Sequence, residues 1–174
     1  MRRQPNNQTI IFHMKKHVLP ILLISLLLGS CGKRVLLDET RTFANDTWFR
    51  FQPEKYELTP TSTEECYNFI VTVTIDTSRY HDTGLPIIME LDNANHEKRT
   101  LFGTIVLRNH NGNWMGSFDN YGNLIVQHTL RQYLFFSSAT THAVSLGQRT
   151  NKYEIHGIRS LNLKVERAKL EYPE

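Results

Sequence analysis

The chain has 174 residues, with 20 Lys and Arg against 17 Asp and Glu, a formal net charge of +3 and a pI near 8.9. Four of the bases, Arg2, Arg3, Lys15 and Lys16, lie in residues 1–30, which hold no acid, so the remaining 144 residues carry 16 bases against 17 acids and a net charge of −1. The basic pI is therefore local to the first 30 residues, and neither the electrostatic footprint of a nucleic-acid binder nor a basic face suited to anionic lipid is expected of the rest. That remainder suits one ordinary domain with a sizeable core.

In chain order, the basic pair Lys15-Lys16 is followed by an apolar run from Val18 to Leu28 and then by Gly29-Ser30-Cys31. A positive segment, a short apolar core and a small-residue cleavage site make a secretory signal, and the core is too short for a stable transmembrane span. Leu28-Gly29-Ser30-Cys31 resembles the lipobox of bacterial lipoproteins. That resemblance implies acylation of the Cys31 thiol, with palmitate-class chains, cleavage before it, and a mature protein starting at Cys31. The rival reading is an ordinary secreted protein in which Cys31 is incidental. Residues 1–30 are accordingly read as a cleaved lipoprotein signal peptide, whose start could be Met14. Residues 31–45 are read as the lipidated N-terminus and a short tether, and residues 46–174 as a single domain. A tether of about a dozen residues, extended at ~3.3 Å each, reaches roughly 40 Å.

With Cys31 lipidated, Cys66 has no partner within the chain, and the fold rests on packing without a disulfide framework. Cys66 opens an apolar strand and reads as a small buried hydrophobe rather than a reactive thiol.

Beyond residue 46 the dominant hydrophobic period is two. Tyr67, Phe69, Val71, Val73 and Ile75 alternate with Asn68, Thr72 and Thr74, only Ile70 breaking the pattern. Further strands are predicted over residues 47–51, 85–91, 100–107, 121–126, 130–136 and 160–167, the last with Leu161, Leu163 and Val165 inward. Turn-forming clusters over residues 92–96, 109–112 and 119–122 separate them. Pro53, Pro60 and residues 61–65 mark an irregular connection. The expected fold is all-β, an antiparallel two-sheet β-sandwich of jelly-roll or immunoglobulin-like type, with a closed barrel as the alternative.

Constellations that carry chemistry are thin. The histidines at 81, 96, 110, 128, 142 and 156 never fall at a tight ligand spacing, most sit in predicted loops, and no CxxC or His-Glu-x-x-His is present. No metal site, cofactor or small-molecule partner is expected, apart from covalent lipid on Cys31. His81-Asp82 would orient a nucleophilic serine only with a Gly-x-Ser-x-Gly elbow, which is absent. No phosphate-cradling glycine loop appears, and no catalytic residue is assigned.

Aromatics are the remaining site candidates: Trp48, Phe49, Phe51, Trp114, Tyr121, Tyr133, Phe135 and Phe136. The consecutive pairs Trp48-Phe49 and Phe135-Phe136 must face opposite sides of a strand. The expectation is that both rings of each pair are covered within the domain, the alternative being an exposed ring that stacks on a sugar or a partner protein. Arg108 and Arg131 stand beside aromatics in strands, a combination common at interfaces. Trp114, Tyr121 and Arg108 form the candidate binding surface.

The order of features resembles the gliding-motility lipoprotein family of the Bacteroidetes, the GldH type. The lipobox is followed by the acidic pair Asp38-Glu39, a first strand with Trp48, and an alternating strand leading to Tyr80 and Leu85-Pro86. Next comes the turn Gly112-Asn113-Trp114-Met115-Gly116, and then Gly157-Ile158 before the closing strand Leu161-Asn162-Leu163-Lys164-Val165-Glu166. The chain departs from the pattern at Arg99-Thr100 and Gln148-Arg149. The resemblance implies a membrane-anchored, non-enzymatic accessory of the envelope machinery for gliding, with envelope proteins as partners and no nucleic acid. Gly32 after Cys31, and Lys33-Arg34 in place of an acidic run, point by the same kind of resemblance to the outer membrane and its periplasmic face. The alternative function is a glycan-binding envelope lipoprotein on a jelly-roll sandwich, with Trp114 and Tyr121 as its platform. An envelope enzyme comes third, since it needs two acids or a His-acid pair converging in one cleft.

Overall fold

A computed structural model of the chain describes residues 35–92 and 98–169. Residues 1–30, read above as a signal peptide, together with Cys31 and His96, lie outside the described residues. At the centre of the larger sheet is β4 (Cys66–Ile75), the alternating strand legible in the sequence. It is flanked by β11 (Ile158–Arg167) and β8 (Leu124–Phe135), with β1 (Val35–Thr42) beyond β11 and the short β7 (Ser117–Phe118) beyond β8. The smaller sheet runs β3 (Glu54–Leu58), β9 (His142–Gln148), β5 (Gly84–Asp92), β6 (Lys98–Val106). A two-stranded ribbon, β2 (Thr47–Phe49) with β10 (Glu154–His156), completes the strands of the described residues. Every pairing is antiparallel, and no strand of one large sheet pairs with the other. The fold is thus a two-sheet sandwich and not a closed barrel.

Alternation produces the core. Phe69, Val71, Val73 and Ile75 of β4 and Leu161, Leu163 and Val165 of β11 turn one face inward, against Leu85, Ile87 and Met89 of β5 and Leu146 of β9. All of them are at most 1% exposed. Burying each such side chain contributes about 1.5–3 kcal/mol, so these two inner faces hold most of the driving force for folding.

The structure differs from the expectation in several places, β7, β9 and β10 among the strands not foreseen. Residues 35–42, read as tether, form β1, paired with β11 from Val35 opposite Glu166 to Thr42 opposite Ser160. Leu37 is buried and Leu36 packs against the core, which is why the stretch docks although the rest of it, from Asp38 on, is polar. The connection expected around residues 53–65 contains β3, paired with β9. Finally, residues 121–126 and 130–136 are not two strands, because β8 runs unbroken from Leu124 to Phe135. Its register against β4 shifts twice between Tyr67 and Ile70, and Tyr133 adopts φ 53°. The break read between them falls on the polar run Gln127-His128-Thr129, which pairs regularly with β4, while the bulges lie further along the strand.

The sandwich has two ends. The first gathers the start of β1 and β4, the finish of β8 and β11, and the β5–β6 hairpin. The second gathers the finish of β4 and β6 with the start of β5 and β8, and it carries the turns after Leu107 and Phe118.

Candidate functional site

At the second end, the turn between Arg108 and Trp114 is built by Asn109. Its Oδ1 accepts from the N–H groups of Asn111 and Asn113 at 3.0 Å each, and its carbonyl accepts from Gly112 N–H at 2.9 Å. Arg108 and Trp114 form an antiparallel bridge. The Arg108 guanidinium lies 3.5 Å over the Trp114 ring and its Nη1 donates to Gly112 O at 3.0 Å. Trp114 is partly buried and packs against the core. With a guanidinium over the ring and the side chain partly buried, Trp114 is not an open platform of the kind sugar stacking needs.

Tyr121 sits at the tip of the neighbouring turn and is 89% exposed. Asp119 organises that turn: Oδ1 accepts from the N–H groups of Tyr121 and Asn123, and Oδ2 from Asn123 Nδ2, each at 2.8 Å. These bonds, led by the Asn123 side chain, hold the Asp119 carboxyl below its usual range. The structure brings Arg108 and Trp114 together. Tyr121 shares their end of the sandwich but makes no ring contact with Trp114.

The aromatic pairs split as strand geometry requires, and the expectation that both rings of each pair are covered fails at Phe135, which is exposed, while Phe49 is half-buried. Trp48 is buried and stacked on Phe43 at 5.2 Å, whereas Phe49 turns outward to Tyr153 at 5.8 Å. Phe51 lies 6.0 Å from Tyr153 and is capped by the Arg50 guanidinium at 5.6 Å. Phe51 and Tyr153 are 73% and 62% exposed, an aromatic cluster facing solvent. Tyr153 was not recognisable from the sequence, because only the β2–β10 pairing places it beside residues a hundred positions earlier. Phe136 is buried, while Phe135 and Tyr133 are 44% and 47% exposed at the opposite end.

A groove of about 670 Å³ runs from the β1 edge to the outer face of the smaller sheet. There Arg41 pairs with Glu39 at 2.7 Å, donates to Lys55 O at 3.2 Å and lies 5.0 Å over Tyr56. Burial pushes the Glu54 carboxyl up and keeps the Tyr56 phenol protonated. Four acids, Glu39, Glu57, Glu90 and Asp92, face three bases, Arg41, Lys55 and Lys98, along the groove, a slight acidic excess.

Three histidines expected in loops lie in strands. His128 is in β8, its basicity lowered by burial. His142 is in β9, its Nε2 3.0 Å from Ser138 O, and His156 is in β10, its Nδ1 3.0 Å from Thr47 Oγ1. Asp82 pairs with Lys152 at 2.8 Å, so it is not engaged in orienting His81. Among the described residues no group of three or more His, Cys, Asp or Glu converges as a metal site, and no helix is long and apolar enough to cross a membrane.

These features define an all-β sandwich domain with surface aromatic clusters and a clamped tryptophan turn. The family model described as GldH lipoprotein matches residues 35–165, and the chain belongs to that family of lipoproteins of the gliding-motility type. No curated protein matches the chain.

Proposed function

We propose that the protein is a non-enzymatic accessory of the cell-envelope gliding machinery. In this reading it is held by lipid on Cys31 at the periplasmic face of the outer membrane, and its sandwich offers a binding surface to envelope proteins. Membership of a lipoprotein family over residues 35–165 supports the anchor. The observation that carries the interaction role is the solvent-facing cluster of Phe49, Phe51 and Tyr153 with Arg50 alongside. Exposed aromatics beside arginine are the composition of protein-binding hot spots. Trp114 does not favour the glycan reading, since Arg108 covers it.

The test is affinity capture of the full-length protein from detergent-solubilised envelopes, read by mass spectrometry, alongside Phe51→Ala/Tyr153→Ala and Cys31→Ala forms. Recovery of motility or secretion components by the unsubstituted protein, and their loss with the double variant, is the expected result. Equal recovery by both defeats the aromatic surface. Absence of any protein partner, together with signal on a glycan array, turns the assignment to carbohydrate.

A further inference from the structure

The first end of the sandwich collects features from strands far apart in sequence. Val35 stands opposite Glu166 of β11, which stands opposite Asn68 of β4, whose Oδ1 accepts from the N–H of Tyr133 at 3.2 Å. At ~4.8 Å per strand, this row of four strands spans only about 15 Å. Beside it a shallow cleft of about 450 Å³ is lined by Arg99, Leu101, Arg131, Tyr133 and Phe135. Arg99 reaches across from β6 to donate to Phe135 O at 2.9 Å. Neither Arg99 nor Arg131 has a carboxylate partner among the described residues. Among the described acids close by, Glu65 pairs with Arg167 at 2.9 Å and Glu166 with Lys164 at 2.7 Å, leaving Glu64 and Asp92.

Only Gly32, Lys33 and Arg34 separate Cys31 from the first residue of β1. Whatever conformation they take, four Cα–Cα steps reach no more than roughly 14 Å. On the reading that Cys31 carries the lipid, the acyl chains therefore cannot lie far from Val35 and the row it begins.

We infer that this end of the sandwich is a bilayer-contacting surface, in which Tyr133 and Phe135 enter the headgroup zone and Arg99 and Arg131 take lipid phosphates. Aromatic rings partition to that zone, guanidiniums match phosphate geometry while their stems stay in apolar surroundings, and a tethered acyl chain supplies the proximity. The near-neutral balance of residues 31–174 conceals the site, because the two arginines, 32 positions apart, come from different strands. The inference rests on the lipid-anchor reading and adds an orientation to it: the turn bearing Tyr121, at the other end of the 12-residue β8, points away from the membrane.

The test uses full-length lipidated protein reconstituted in vesicles of phosphatidylethanolamine and phosphatidylglycerol, with either plain or chain-brominated lipid. Phe135→Trp and Tyr133→Trp report on the first end, Tyr121→Trp on the second, and the unsubstituted protein supplies the background of Trp48 and Trp114. The expected result is emission from Phe135→Trp and Tyr133→Trp quenched roughly twofold or more by brominated lipid, as for a ring at interfacial depth, with Tyr121→Trp unaffected. Arg99→Gln/Arg131→Gln on the Phe135→Trp background weakens that quenching. Floating protein with no quenching at either first-end position overturns the inference and leaves the anchor intact, as does quenching confined to Tyr121→Trp. Protein that fails to float with vesicles overturns the anchor reading itself.

Discussion

The guanidinium of Arg108 rests 3.5 Å above the Trp114 ring while donating to the carbonyl of Gly112, so one side chain ties both arms of the turn between β6 and β7. Arg108→Ala is expected to cost about 1–2 kcal/mol, from a cation–π contact of ~0.5–1 kcal/mol and a charge-assisted hydrogen bond of about 1 kcal/mol. Arg108→Lys recovers only part, since an ammonium does not lie flat on the indole. Urea midpoints check both, and a red shift of tryptophan emission in Arg108→Ala marks the uncovered ring.

Gly157 joins the β10–β11 corner to the loop after β4. Its N–H donates to Asp46 O and its carbonyl accepts from Asp76 N–H, each at 2.8 Å, with φ +88°. A Cβ there would stand 2.9 Å from both Asp76 O and Tyr80 N, which are backbone atoms that cannot step aside. Gly157→Ala should therefore destabilise by about 2–4 kcal/mol, combining the cost of positive φ with overpacking. Gly112→Ala is the comparison: φ is +79° but nothing lies within 4 Å, so about 1 kcal/mol is expected. Thermal unfolding of the two variants separates the contributions.

Acid should destabilise the domain in a defined order. Burial lowers the His128 pKa from 6.5, and hydrogen bonds lower three carboxylates: Glu65 chiefly through Thr61, Asp76 through Ser78, Asp119 through Asn123. A depressed folded-state pKa means a contribution complete above the unfolded value and lost as pH falls through the folded one. Decline thus begins below pH 6.5 with His128 and steepens below 4.5 and 3.8, the reference values for Glu and Asp. Urea midpoints should be lower at about pH 3 than at about pH 7, the four lowered groups outweighing Glu54, which burial raises and which alone among the described residues opposes them, and Glu65→Gln should flatten the acid limb. A midpoint that rises on acidification contradicts this account.

Two phenylalanines should respond oppositely. Phe69 is wholly buried and Phe51 is 73% exposed. Phe69→Ala is expected to cost about 3–5 kcal/mol and Phe51→Ala no more than about 0.5 kcal/mol. Stability is read from urea midpoints and binding from envelope capture, where Phe51→Ala should lose partners without losing stability.

The sequence disclosed the strands whose hydrophobic side chains alternate cleanly. β4 and β11 bury one face against solvent on the other, and period two follows directly. It was less informative where alternation fails. β1 carries a single buried side chain, Leu37, next to Leu36 and ahead of a polar run, and β9 places Ala143, Ser145 and Gly147 where larger outward residues would have marked a strand. The contact between Arg108 and Trp114 lay within reach of sequence, since both flank one turn. The cluster of Phe49, Phe51 and Tyr153 and the grouping of Arg99 with Tyr133 and Phe135 were not, because each depends on which strands become neighbours.

Cys66 is a free thiol, 3% exposed, opposite Phe135 in the β4–β8 pairing, with its carbonyl accepting from Ala168 N–H at 2.8 Å. Thiol exchange requires access to the sulfur as well as a thiolate. In an oxidising envelope, folding therefore acts as a chemical gate. A molecule whose β4 has docked hides its sulfur and escapes cross-linking, whereas one that opens there offers an unpartnered thiol to the next open copy. Covalent dimers on non-reducing gels become a tally of molecules that failed to fold in time, and Cys66→Ala would erase that record while leaving the failure itself in place.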